Sequence, residues 1–167
     1  VGPGFVMSTL GASIATYSET ANWMPAASLT GAGLATRYLL DSIAASRLGG
    51  LFDRLGFSRA TTIFLGFGAL VLAFAALHPS LAIYILLIVF FFVTTTALHA
   101  GVAGTASKLG SGAFARYATA NDLGAASGPL LAWIMIERLA DPFASLMVGA
   151  AVSLATIVVV FTDRARH

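Results

Sequence analysis

Six long apolar runs, separated by short polar or charged stretches, organise the chain. They fall near residues 1–17, 26–46, 60–77, 81–107, 114–136 and 143–161. The fourth is the most hydrophobic: from Ile83 to Val93 its only polar side-chain group is the Tyr84 hydroxyl. The third run ends at His78-Pro79 and the sixth at Asp163-Arg164-Ala165-Arg166. A helix crossing the hydrocarbon of a bilayer needs about 20 apolar residues. Lipid offers backbone groups no partner outside the helix itself, so runs of this length predict helices. A membrane barrel would instead alternate apolar and polar residues over segments of about 10, a pattern this sequence does not contain. The expected fold is all-α, a polytopic membrane protein with six transmembrane helices.

Composition agrees. Hydrophobic residues make up 58% of the 167 and charged residues 10%, with a mean hydropathy of +0.90. A soluble domain carries about 25% charged residues, and this chain has too few to cover a soluble surface. The charges also fall in a pattern. If the spans alternate, Arg47, Arg54 and Arg59, then Lys108 and Arg116, then Arg164 and Arg166 share one side, against Arg138 alone on the other. Excess Lys and Arg marks the cytoplasmic side, so both ends of the segment are expected there. Six spans give this agreement; five or seven would scramble it. The sequence pI near 9.4 therefore reads as topology, not as nucleic-acid binding, since net charge is only +2 and the basic residues are dispersed. There is no cysteine, which excludes disulfides and Cys-based metal or haem sites. No cofactor is expected, and His78 and His167 lie too far apart in sequence to suggest a metal site. The chain begins at Val1 and is apolar at once, without a cleavable leader, so a fragment of a longer protein is expected.

Small residues recur inside the runs at Gly31-Ala32-Gly33, Gly66, Gly68, Gly101, Gly104, Gly124 and Gly128. They let membrane helices approach closely, for static packing or for sliding between states. Between the second and third runs the chain reads Gly50-x-x-Asp53-Arg54-x-Gly56-x-x-Arg59. Gly56 suits a tight turn, and Asp53 can accept hydrogen bonds from helix N-terminal amides. This segment resembles the cytoplasmic signature G-x-x-x-D-R-x-G-R-R of the major facilitator superfamily of secondary transporters. It has one residue fewer after the first Gly, and Phe57 and Ser58 precede the single Arg59. The fifth run carries Asn121-Asp122-Leu123-Gly124-Ala125-Ala126-Ser127-Gly128-Pro129, which resembles a D-x-G-x-x-x-G-P pattern of the same superfamily. Pro129 removes a backbone donor and tends to kink a helix, so Gly124, Gly128 and Pro129 form a candidate hinge.

The resemblance spans nearly the whole chain and implies half of a twelve-helix transporter. The fourth run lacks the Arg that the superfamily's N-terminal half carries there, and the chain ends in a short basic tail. Helices seven to twelve are therefore implied, with the N-terminal six-helix half as partner. By the same resemblance the chain is expected to move a small molecule by alternating access, coupled to protons, with efflux slightly favoured over uptake and with Gly50, Asp53, Arg54, Gly56 and Arg59 forming a cytoplasmic gate. Ala and Gly richness suggests a bacterial inner membrane.

Ionisable groups inside spans cost on the order of 3 kcal/mol each at a helix centre and need a partner or water. Here they are Arg37 and Asp41 in the second run, His99 in the fourth and Asp122 in the fifth; the third and sixth have none. Arg37 and Asp41 are spaced to share a helix face, as a self-neutralising pair or as an anion contact or proton relay. Asp122, beside Asn121, is a proton carrier or a packing residue; burial would raise its pKa and a nearby Arg would lower it. His99 belongs to a polar seam or touches substrate. Trp23 and Trp133 read as interfacial anchors, Trp133 alternatively as a stacking surface. No catalytic constellation or nucleotide motif is present: Ser127-Gly128 lacks the preceding Gly of an intramembrane serine protease, with Ala125 in that place. The chain is not expected to be an enzyme. A non-transporting six-helix scaffold or self-associating unit is the alternative function.

Overall fold

A computed structural model describes residues 2–18 and 25–164. Trp23, Arg166, His167 and most of the first loop lie outside the described residues, as does the side chain of Arg164. Six α-helices account for nearly all the described residues: α1 Gly2–Ser18, α2 Ala26–Leu55, α3 Phe57–Ala75, α4 Leu81–Lys108, α5 Ser111–Leu139 and α6 Pro142–Arg164. No strand occurs among them. Three helices are long and apolar enough to cross a membrane, over Phe57–Ala75, Leu81–Lys108 and Pro142–Thr162. These three point to a membrane location.

Helices α2 and α4 start where their apolar runs start, α3 and α5 start three residues earlier, and several helices outlast their runs. The largest departure is at the second connection, expected to be a loop over residues 47–59. Here α2 continues through Asp53 and Arg54 to Leu55, Gly56 alone turns the chain at φ 78°, and α3 begins at Phe57. Hydropathy marks where apolar character stops, whereas Arg and Leu keep good helix propensity beyond that edge. Only the positive φ at Gly56, which L side chains rarely adopt, ends the helix. At the other end of the bundle the α5–α6 corner is similarly short, with Ala140 at φ 52°.

End-to-end contacts fix the helix directions. At one end the Tyr17 hydroxyl donates to the Pro79 carbonyl at 2.6 Å. There the rings of Tyr17, Tyr84, His78 and Phe143 gather, and His78 lies 3.7 Å from Asp141. At the other end Lys108 pairs with Asp53, and Arg59 shares a small cavity with Phe161. Helices α1, α3 and α5 thus run one way and α2, α4 and α6 the other.

The core runs through α1, α3, α4 and the start of α6, with Val6, Leu10, Leu72, Tyr84, Phe92 and Leu146 among its fully buried members. The pairing of helices has an internal symmetry. Exchanging α1, α2 and α3 with α4, α5 and α6 turns the α2–α4 contact into α1–α5, α3–α4 into α1–α6, α1–α2 into α4–α5, and α2–α3 into α5–α6. The remaining pairs, α3–α6 and α1–α4, map onto themselves. Since α1 and α4 run in opposite directions, the two three-helix units are inverted relative to each other.

Candidate functional site

Polar chemistry inside the bundle concentrates where α2 crosses α4. The run Thr94-Thr95-Thr96 sits in the most apolar helix, and its hydroxyls are accommodated locally: Thr94 Oγ1 donates to the Phe91 carbonyl at 2.7 Å and Thr95 Oγ1 to that of Phe92 at 3.0 Å. Such bonds let a hydroxyl sit in an apolar helix. Thr95 Oγ1 then accepts a 2.9 Å bond from Arg37 Nη1. Thr96 Oγ1 donates to Asp41 Oδ1. Arg37 Nη2 lies 3.3 Å from Asp41 Oδ2, and the guanidinium carbon stands 5.7 Å above the Phe92 ring. Arg37 and Asp41, one turn apart on α2, thus grip two adjacent threonines of α4. Arg37 is 7% exposed, so its charge is held by one carboxylate, one hydroxyl and one aromatic face.

A cavity of about 450 Å³ opens beside this grip among α1, α2, α4 and α5. Its polar lining comes from Ser8, Arg37, Tyr38, His99 and Asn121, and Pro129 lies on its α5 wall. Three of the sequence-predicted residues, Arg37, His99 and Asn121, therefore come together around one space. Asp41 stands one turn from Arg37 but is absent from that lining. His99, expected in a polar seam or against substrate, is exposed in the bundle and lies 5.8 Å from the Tyr117 ring, edge to face.

Asp122 stands apart from this cluster. It is exposed on α5 and has no ion pair or hydrogen bond among the described residues. The helical phase explains this: α5 buries only Gly124, Gly128 and Ala132, and Asp122 projects away from that line. The three small residues are one turn apart and let α1 come close. A Cβ on Gly4 would stand 3.4 Å from both the Ala125 carbonyl oxygen and Pro129 Cδ. Pro129 lies within α5, which continues through it. Trp133, 60% exposed, lies one residue beyond the buried Ala132.

The Asp53 region forms a separate cluster. Asp53 Oδ1 accepts from Lys108 Nζ at 2.7 Å, across the ends of α2 and α4. A lysine thus takes the place of the helix amides that sequence suggested as its donors. Phe52, next to it and 3% exposed, stacks on Phe64 at 5.7 Å with the rings nearly parallel. It also lies against Gly101, where an added Cβ would run into its ring. Gly50 faces open space, whereas Gly49 lies 3.8 Å, measured from its would-be Cβ, from Ala100. Gly49 stands four residues before Asp53, and this one-turn spacing was the signal that could have singled it out. The same sequence texture recurs at the opposite corner: Asp53-Arg54-Leu55-Gly56 ends α2, and Glu137-Arg138-Leu139-Ala140 ends α5. No group of three His, Asp or Glu positioned to hold a metal ion is found among the described residues.

Comparison with family models, with curated proteins and with solved structures finds no match to this chain.

Proposed function

We propose that this chain is one six-span half of a secondary transporter of the major facilitator type, moving a small molecule by alternating access in a bacterial inner membrane. The observation that carries the reading is the inverted repeat: every helix contact has its partner under exchange of the two three-helix units. Paired corners, Asp53-Arg54-Leu55-Gly56 and Glu137-Arg138-Leu139-Ala140, echo it in sequence. Inverted repeats of three helices nested in each six-helix half are how such transporters are built, with substrate held near the midplane at the repeat interface. The cavity lined by Arg37, His99 and Asn121 lies between α1 and α2 of one unit and α4 and α5 of the other, which suits that role.

In this reading α1, α2 and α5 also cross the membrane, with both ends of the segment cytoplasmic. Asp122 faces the half that completes the transporter, in a space where water enters and leaves as the halves rock. A carboxylate whose surroundings alternate in this way takes up and releases protons. The Arg37–Asp41 grip fixes α2 to α4 and presents a partly balanced positive charge to the cavity. The Asp53–Lys108 pair belongs to the cytoplasmic gate.

The native absence of cysteine makes topology directly testable. Single cysteines at Ser58 and Ser111 should resist a membrane-impermeant maleimide in intact cells, and one at Ser80 should react. Labelling of all three from outside would overturn the six-span arrangement. In the complete transporter, Asp122→Asn should abolish flux driven by a pH gradient while membrane insertion stays intact; unchanged gradient dependence removes Asp122 from the coupling role.

A further inference from the structure

A second cavity, of about 360 Å³, lies among α3, α4, α5 and α6. Small-molecule sites usually measure about 300–1,000 Å³ and combine apolar walls with a few polar groups. Phe64 and Leu65 of α3 and Phe91, Leu98 and Val102 of α4 supply the apolar wall here. No Asp, Glu, Lys or Arg lines it, so a charged guest would find no counter-ion.

The hydroxyls in its wall are biased. Thr94 Oγ1 gives its proton to the Phe91 carbonyl, Ser153 Oγ to that of Gly149 and Thr156 Oγ1 to that of Val152, at 2.7–2.9 Å. Each is left with lone pairs and no proton to offer. The side-chain amide of Asn121 makes no hydrogen bond among the described residues. These three hydroxyls thus offer acceptors only, while the Asn121 amide offers one acceptor and two donors, and a guest with a donor of its own can meet them. Access is lateral: Val152, 45% exposed, and the exposed Thr156 form a rim on α6, the helix whose outward residues Leu154 and Val158 are also bare.

We propose that this cavity binds an uncharged amphiphile dissolved in the membrane, with an apolar body and at least one O–H or N–H donor. The inference does not depend on transport. His99 and Asn121 line this cavity and the one beside Arg37, so the two spaces share a wall one side chain thick.

The test is photolabelling of the full chain, in nanodiscs of phosphatidylethanolamine and phosphatidylglycerol, with 4-(hydroxymethyl)benzophenone. Adducts are expected at the lining residues of α3 and α4, around Leu65 and Val102. Excess benzyl alcohol should suppress them, a readout that needs no variant. Ser153→Leu and Thr156→Phe fill the space and break bonds only within α6, and each should lower labelling at least tenfold with an unchanged elution profile. The analogue 4-methylbenzophenone, which has no donor, should label several-fold less. Adducts confined to the outward residues Leu70, Phe74 and Val158 would overturn the proposal. Labelling indifferent to benzyl alcohol or to both substitutions would do the same, and equal labelling by the methyl analogue would overturn the donor requirement.

Discussion

Helices α3 and α6 differ from α2 and α5 in what their outward faces show. The outward side of α3 carries Ile63, Phe67, Leu70 and Phe74, and that of α6 carries Val152, Leu154, Val158 and Val159. Both helices are apolar enough to cross a membrane. Helices α2 and α5 are longer, 30 and 29 residues, yet α2 buries only Arg37 and Phe52, and α5 only Gly124, Gly128 and Ala132. Their exposed sides mix Leu39, Ile43 and Leu123 with Tyr38, Ser42 and Asp122. A bare carboxylate in mid-helix is costly against lipid. One pair of helices therefore has the outward chemistry that lipid requires, and the other a more mixed, polar exposed side. Within one small bundle, exposure alone does not identify the surrounding medium; the chemistry of the exposed residues does.

That contrast can be broken by placing the same charge on each side. Phe67→Arg on α3 should lower the folded, membrane-inserted yield severely, since a charge near the centre of a lipid-facing helix costs about 3 kcal/mol on insertion scales. Leu123→Arg on α5 should cost far less. Equal losses, read by fluorescence-detected size exclusion, would erase the distinction between the two faces. Next in size is the α2–α4 crossing, where Gly101→Leu should destabilise by about 1–3 kcal/mol through overpacking against Phe52. Combining it with Phe52→Ala should recover part of the loss in thermal unfolding, and strict additivity would show that the two do not meet. Arg37→Met should cost on the order of 1–3 kcal/mol, because it removes the bonds to Thr95 and Asp41; the partial exposure of Asp41 keeps the effect below that of a fully buried pair. Preservation of wild-type unfolding in Arg37→Met would leave α2 held by apolar packing alone. The smallest effect is expected at the exposed pair Lys108–Asp53: Lys108→Ala should change stability by less than about 1 kcal/mol, and high salt should abolish even that difference.

Much of the fold was legible because the dominant signal, apolar run length, is coarse and repeated. The starts of α2 and α4 fall where the second and fourth runs begin. The i, i+4 spacing of Arg37 and Asp41 anticipated their ion pair, and Gly56 announced its corner by being the residue that tolerates positive φ. Helix ends were less readable, since Arg47, Asp53 and Arg54 leave the apolar run without leaving the helix. Partners across helices could not be read at all: nothing in one dimension tells Arg37 to meet Thr95, Asp41 to meet Thr96, or Phe52 to fill the space above Gly101. Asp122 shows the same limit, because its face is set by the Gly124-Gly128-Ala132 stripe that α1 selects, and only the packed bundle reveals that choice.

The one-residue corner at Gly56 has a mechanical meaning. A single residue spans at most about 3.5 Å, whereas sliding a helix by one turn takes about 5.4 Å. Helices α2 and α3 can therefore swing about Gly56, but neither can advance along the other by a turn without unwinding. Any tilt that opens the space beside Arg37 must drag the oily outer column with it. Under the alternating-access reading proposed above, the thickness and stiffness of the surrounding bilayer would then load that motion, and a stiffer membrane should slow it before it alters binding.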